Sequence, residues 1–209
     1  MAYKRKVIIS ASEERLEKLI EERLKPESNK KEIDEKIWDL FGEVWCIMMT
    51  DLSGFSRGVE KYGIIHFLQT IYESQRILIP IIEDYNGFLL KTEGDSLFVI
   101  FRNPVKALEA SIRMNQVLEE YNKIKSPEEQ ILLCIGLGYG NVLKIGDVDI
   151  FGAEVNAASK LGEDTAKAKE ILVTENFKKA VENVFPSLKF EKIAFVPPGA
   201  SSAYKVIYF

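Results

Sequence analysis

Gly87-Phe-Leu-Leu-Lys91-Thr-Glu-Gly94-Asp95-Ser-Leu-Phe-Val-Ile-Phe101 reads as two strands folded about a tight acidic turn. The apolar runs are short, and Glu93-Gly94 supplies the turn between them. Outward toward the C-terminus, Asn103-Pro104 is an N-cap followed by proline at the first helical position. The helix it opens carries Leu108, Ile112, Leu118 and Tyr121. Toward the N-terminus, Ile64, Leu68, Ile71 and Leu78 place a long helix before the hairpin, which Pro80 kinks or restarts. Flanking both helices are Val44–Met49 and Ile131–Tyr139, each apolar enough for a strand buried on both faces. Strand, helix, strand, strand, helix, strand is the ferredoxin-like βαββαβ order. The expected fold is α+β, an antiparallel sheet with both helices on one face.

Further elements extend this core. A strand is expected at Asn141–Ile145, a helix from Ala153, a strand at Ile171–Thr174, a helix from Glu175, and a closing hairpin across Pro197-Pro-Gly199. The first 42 residues read differently, as two amphipathic helices. Ser10-Ala-Ser-Glu13 has capping-box spacing, and Leu16, Leu19, Ile20 and Leu24 follow at helical intervals until Pro26. Ile33, Ile37, Trp38 and Phe41 define the second helix, with Gly42 placed to end it. The division expected is a helical extension over 1–42 and a main domain over 43–209, the extension packing on the main domain with a regulatory or dimerising role as the alternative.

Composition narrows the function. The 209 residues carry 28 Lys and Arg against 32 Asp and Glu, a net charge of −4, which argues against a broad basic face for nucleic acid. No apolar run approaches the ~20 residues of a membrane span. The N-terminus is basic and then briefly apolar, but charge returns at Glu13, so it lacks the core of a signal peptide. A cytoplasmic protein without a membrane partner is expected. Cys46 and Cys134, each inside an apolar run, read as buried free thiols. His66 is the sole histidine, and no Gly-x-Ser-x-Gly elbow accompanies it, so it reads as a helix residue without a catalytic role.

Three carboxylate-bearing segments could do chemistry. Asp51 closes a buried strand and opens Asp51-Leu-Ser-Gly-Phe-Ser-Arg57, a small turn. A carboxylate there suits a hard cation, and the turn's backbone N–H groups suit phosphate. A plain helix cap is the alternative. Asp95 sits on the hairpin turn, either solvated or converging on Asp51 from the neighbouring strand. Two converging carboxylates repel, and a metal is the usual remedy, which suggests Mg²⁺ and a nucleoside triphosphate. Asp149 precedes a helix on which Asn156 and Lys160, four apart, share a face. An amide beside an ammonium can grip a polyanion, or the pair can decorate an exposed helix.

Four ordered motifs carry a resemblance: Asp51-Leu-Ser-Gly-Phe55, Lys91-Thr-Glu-Gly-Asp95, Ile135-Gly-Leu-Gly-Tyr-Gly140 and Phe151-Gly-Ala-Glu-Val-Asn-Ala-Ala-Ser159. From about Glu43 to Phe209 the chain resembles the catalytic domain of the class III adenylate and guanylate cyclases. That resemblance implies two Mg²⁺ ions, replaceable by Mn²⁺, on Asp51 and Asp95, with Leu52 in the metal set. It implies triphosphate contacts at Ser53, Gly54 and Phe55. It matches Lys91 and Asp149 to the family's adenine-reading pair, and Asn156 to the asparagine that stabilises the transition state. It further implies a head-to-tail homodimer with shared active sites and ATP as substrate. Two positions depart from the family. Lys160 stands where arginine is usual, and the closing hairpin lacks the phosphate-binding lysine of mammalian members, leaving Lys144 or Arg57 to substitute. The resemblance thus implies an adenylate cyclase. A silent or weak cyclase-like nucleotide-binding domain, or a cyclase for another triphosphate, is the alternative. A diguanylate cyclase is disfavoured because its Gly-Gly-Asp/Glu-Glu-Phe type of signature is missing.

Overall fold

A computed structural model describes residues 11–54 and 62–208. Two helices come first, α1 (Ala11–Leu24) and α2 (Lys30–Phe41). Asn29 caps α2, its side chain accepting from the Glu32 N–H. The Arg23 guanidinium joins the two helices through Asp34 at 2.5 Å. Ser10, the first residue of the proposed capping box, lies outside the described residues, as do Phe55 and Arg57.

Gly42 ends α2 and begins β1 (Gly42–Leu52) with no loop between them. Then follow α3 (Ile64–Asp84), β2 (Gly87–Glu93), β3 (Ser96–Phe101), α4 (Pro104–Asn122) and β4 (Leu133–Ile145). These form the ferredoxin-like core expected from the sequence. β1 lies between β3 and β4, with β2 outside β3, and every pairing among the four is antiparallel. Pro80 sits inside α3 without ending it. Asn103 caps α4 through the Val105 N–H, with Pro104 behind it.

The remaining elements are β5 (Asp149–Phe151), α5 (Ala153–Gly162), β6 (Ile171–Thr174), α6 (Glu175–Val181), β7 (Lys189–Lys192) and β8 (Ala203–Ile207). β6 adds to β4 in parallel, and the β7–β8 hairpin closes the sheet beyond it, so the whole sheet is mixed. Two expectations are corrected. The strands expected at Ile131–Tyr139 and Asn141–Ile145 are one strand, because β1 pairs with β4 continuously from Leu133 to Leu143. β5, only three residues long, was not anticipated; it pairs with the end of β4.

Strand alternation divides the core in two. Cys46, Met48 and Leu52 of β1 face α3 and α4, together with Leu97, Val99 and Phe101 of β3. Trp45 and Ile47 face the other way, with Phe98, Ile100 and Ala158 of α5. Asp51 keeps step with Trp45 and Ile47 and so belongs to the α5 face. There α5 lies almost on the strand backbone: a Cβ on Gly136 would collide with the Ala158 carbonyl oxygen, and one on Gly138 would meet that of Glu154. This explains the alternating glycines of Ile135-Gly-Leu-Gly-Tyr-Gly140.

The N-terminal helices dock through Leu19, Ile33, Ile37 and Phe41 around Ile145, near the end of β4. Trp38 and Ile20, expected on the apolar stripes, are half exposed. Both cysteines are buried free thiols, as expected. His66 lies in α3, its ring Nε2 3.3 Å from the Glu128 carbonyl oxygen. Among the described residues no helix is long and apolar enough to cross a membrane.

Candidate active site

On the α5 face a groove of about 470 Å³ runs between the β2–β3 hairpin, β5 and α5. Lys91, Glu93, Ser96, Asp149, Asn156 and Glu163 line it. Strand order produces this gathering. β1 carries Asp51 to the end of the sheet where the β2–β3 hairpin turns, and β5 lays Asp149 opposite Ile145.

At the acidic end, adjoining the groove beside Ser96, Asp51 and Asp95 lie close enough for each carboxyl to shift the other. Burial, then the charge of Asp95 and a hydrogen bond to it, then the charge of Glu163, push the Asp51 carboxyl up to about 7. Burial also raises Asp95, partly offset by its own and Leu52's backbone N–H groups. The Ser96 hydroxyl donates to Asp51 Oδ1 at 3.4 Å. One Asp95 oxygen, Oδ2, is buried with no hydrogen-bond partner. Leu52 reaches this end through its backbone, since its side chain belongs to the core under α3 and α4. The Ser53 N–H is already engaged, donating to the Leu132 carbonyl at 2.8 Å. Gly54 is exposed, with φ of 90° in the left-handed region that favours glycine.

Do these residues suit a divalent cation? Among the described residues no three His, Cys, Asp or Glu side chains form a metal cluster. The donor set nevertheless fits a hard cation with water completing its shell. Two carboxylates face each other, one holds its proton to about 7, and a buried oxygen lacks a donor.

At the other end, the Lys91 ammonium lies 3.3 Å from Asp149 Oδ1 and 3.4 Å from Glu93 Oε1, with the Phe98 ring 5.5 Å away. Burial pulls the Lys91 pKa down, but the charge and hydrogen bond of Asp149, with Glu93 added, leave it above the ordinary lysine value. Asp149 Oδ1 also accepts from the Ile150 N–H at 2.9 Å. An ammonium and a carboxylate side by side present a donor and an acceptor to a flat heterocycle.

Between the ends, α5 projects Asn156 and Lys160 outward, both exposed. The Lys160 ammonium is held by Asp164 at 2.6 Å. Lys144, one candidate for the missing hairpin cation, is tied to Asp147 at 2.9 Å and to the Gly146 carbonyl.

This arrangement, with Asp51, Lys91, Asp149 and Asn156 carried to the α5 side of a ferredoxin-like sheet, has counterparts. Residues 41–201 match the family profile of the adenylate and guanylate cyclase catalytic domain. The chain belongs to that family. It is a class III nucleotidyl cyclase domain, a family that generally uses divalent metals. The chain is 26% identical over 116 residues to a Rhizobium meliloti protein described as "Putative adenylate cyclase 3", which covers 56% of this chain and 20% of that protein. It is 24% identical over 129 residues to the serine/threonine-protein kinase pkn2 of Myxococcus xanthus, covering 62% of this chain and 15% of the kinase. The cyclase domain therefore spans only a small part of each of these longer proteins. The fold is that of the adenylate/guanylate cyclase/hydrolase of Silicibacter pomeroyi, with a TM-score of 0.68 at 20% identity over 80% of this chain and 98% of that one. The adenylyl cyclase CyaB of P. aeruginosa gives a TM-score of 0.64 at 22% identity, over 80% of this chain and 95% of that one. The guanylate cyclase domain of RhGC from Catenaria anguillulae, in complex with GTP, gives 0.66 at 16% identity, over 79% and 96%. One fold is thus shared by proteins described as an adenylyl cyclase and as a guanylate cyclase domain.

Three side chains at this site escaped the sequence reading. Glu163 and Ser96 belong to the acidic end, and Glu93 to the Lys91 pair. Helical spacing could have found Glu163, which lies two turns beyond Asn156. Glu93 is two residues from Lys91 on one strand, hence on the same face.

Proposed function

We propose that this domain converts ATP to 3′,5′-cyclic AMP and pyrophosphate. The observation that carries this reading is the Lys91–Asp149 pair, 3.3 Å apart on the groove wall. Lys91 donates to a ring nitrogen of adenine, and Asp149 accepts from the exocyclic amine. A guanine, with a carbonyl where adenine has the amine, would set an oxygen against the carboxylate.

In the reaction the ribose 3′-hydroxyl gives its proton to water, its oxygen bonds to the α-phosphorus, and the bond from that phosphorus to the bridging β-phosphate oxygen breaks to release pyrophosphate. Asp51, Asp95 and the Leu52 backbone would hold Mg²⁺, two ions in this reading. When bound, these ions supply positive charge to the triphosphate and favour the ionised 3′-oxygen. Asn156 orients the ribose, and Lys160 turns from Asp164 to the phosphate as charge builds there. Gly54 offers its backbone to the triphosphate.

The sites are shared in a head-to-tail homodimer. Asp51 and Asp95 serve one site, while Lys91, Asp149, Asn156 and Lys160 serve the other. Phe151, 51% exposed on the groove wall, gives such a dimer apolar surface to cover. Mixing Asp51→Ala with Asn156→Ala protomers, each nearly inactive, tests the sharing. Random exchange makes about half the dimers mixed, each with one intact site, so roughly a quarter of wild-type activity returns. No return, from folded and exchanging protomers, defeats the shared-site reading.

A second reading draws on the Lys160–Asp164 pair and the occupied Lys144, which leave both cations engaged. It makes the domain a silent nucleotide binder. Incubating the protein with each of the four ribonucleoside triphosphates and Mg²⁺ or Mn²⁺, and identifying products by mass, separates the two. Cyclic AMP from ATP is expected. A dominant cyclic product from another base overturns the adenine assignment, and nucleotide binding with no cyclic product favours the second reading.

A further inference from the structure

We propose that Glu154 is a positioning residue for Asn156, setting the roll of α5 from which that amide meets the nucleotide. The inference rests on the cyclase reading above. Glutamate is seldom buried, yet Glu154 is only 4% exposed. A buried carboxylate is tolerated when both of its oxygens accept hydrogen bonds, and here both do. Oε2 accepts from the Tyr139 N–H at 3.0 Å and from the Thr174 hydroxyl at 2.7 Å. Oε1 accepts from the Asn176 amide at 2.7 Å. The Thr174 oxygen itself accepts the Phe177 N–H at the start of α6, which leaves its single proton for Glu154.

The partners belong to three different elements. Tyr139 is in β4, Thr174 ends β6, and Asn176 is in α6. One carboxylate in the first turn of α5 therefore fixes that helix against the sheet and its neighbour. Gly138 and Gly140 make room for it: a Cβ on Gly140 would lie 3.1 Å from Glu154 Cγ.

Residues two apart on a helix point to nearly opposite sides. Glu154 points into the sheet, and Asn156 points out to line the groove. Lys160 lies one turn beyond Asn156 on the same face. A roll of α5 by about 10° about its axis moves an outer side-chain atom roughly 1 Å, given a helix radius of about 5–6 Å. A misplacement of that size can cost about a hundredfold in rate. Glu154 touches no reacting atom in this scheme. It acts through Asn156.

The test replaces the acceptors and keeps the bulk. Glu154→Met leaves the Tyr139, Thr174 and Asn176 donors without a partner. kcat for cyclic AMP is expected to fall about a hundredfold with KM for ATP within about threefold. Glu154→Gln is the conservative rescue. Its Oε1 keeps Tyr139 and Thr174, its amide donates to Asn176 once that side chain turns over, and kcat stays within roughly fivefold of wild type. Should Glu154→Met not fold, Asn176→Ala removes one bond from the exposed side. A loss of kcat by about threefold to tenfold is expected, with thermal midpoint and KM nearly unchanged. Wild-type kcat in folded Glu154→Met or in Asn176→Ala overturns the positioning role alone. So does a loss of activity fully accounted for by unfolded protein. A wild-type domain with no turnover on any triphosphate overturns the cyclase reading, and this role with it.

Discussion

Next to the groove, beside Ser96, two half-buried aspartates lie together, with Glu163 adding its charge; on the groove wall one lysine is matched by two carboxylates. The acidic end is unfavourable as it stands. Its carboxyls hold protons that solvent-exposed aspartates would release, and Asp95 Oδ2 is buried without a donor. The Lys91 end is satisfied, its charge balanced by Asp149 and Glu93. A fold keeps mutually repelling groups where a ligand supplies the opposite charge, and gives up stability to do so. Under the proposed function this contrast has a use: the repelling pair would receive cations in one shared site, and the balanced pair would receive a neutral, polar ring in the other.

The largest expected effect breaks the acidic end. Asp51→Asn or Asp95→Asn lowers kcat by about 10³-fold or more, because an amide supplies less charge to Mg²⁺. The same variants lose any rise in thermal midpoint on adding Mg²⁺. Wild-type turnover in either variant would falsify the metal role.

Next in size is the Lys91 end. Lys91→Glu combined with Asp149→Cys shifts the ATP:GTP ratio of kcat/KM by about tenfold or more toward GTP, while the Mg²⁺ response persists. An unchanged ratio means that this pair does not read the base.

A smaller effect compares the ends by pH without metal. The folded Asp51 carboxyl titrates near 7, against an ordinary value of 3.8, so between those values the folded chain binds a proton that the unfolded chain releases. Its contribution to stability is complete below that window and is lost as pH rises through about 7. After discounting for solvent screening of a half-buried group, the loss between pH 5 and pH 8 is about 1 kcal/mol, or roughly 2–4 °C in thermal midpoint. Asp51→Asn removes this dependence and is the more stable protein at pH 8. Denaturation in EDTA across that range checks the sign, and an Asp51→Asn curve parallel to wild type refutes it.

The smallest effect lies between the ends. Lys160→Arg raises kcat by about twofold to fivefold, because a planar fork can hold Asp164 and phosphate together while an ammonium must leave one for the other. Steady-state rates at saturating ATP decide it, and a fall in rate shows a pocket fitted to the ammonium.

Much of the core was legible because its signals are local. Asn103-Pro104 started a helix where expected, and the Glu93-Gly94 turn closed a hairpin where expected. The failures are instructive. Gly140 falls between two expected strands, yet β4 runs straight through it, because β1 supplies partners from Leu133 to Leu143. The three residues of β5 are too few to show a period, and only pairing with β4 makes them a strand. Trp38 sits on the helical stripe of α2 but is half exposed, because the docking surface around Ile145 is narrower than the stripe. At the site, Asp51, Asp95, Lys91, Asp149 and Asn156 were singled out from sequence. Glu154 was not, because a glutamate in the first turn of a helix looks like an ordinary dipole-compensating residue.

The linear chain alone settled the order of the elements apart from β5 and the single long β4, the family, and the kinds of chemical group available. Periodicity, caps and turn residues are short-range properties, and they survive in a linear reading. Tertiary structure alone decided which groups meet. Lys91 and Asp149 are 58 residues apart, Ser96 and Asp51 are 45 apart, and Glu154 and Asn176 are 22 apart. Whether such pairs touch depends on strand order, on a register in which a one-residue slip turns every side chain to the other face, and on the roll of one helix over a row of glycines. Those are set by non-local packing, where the hydrophobic core fixes the backbone and the polar groups must meet on the surface it leaves.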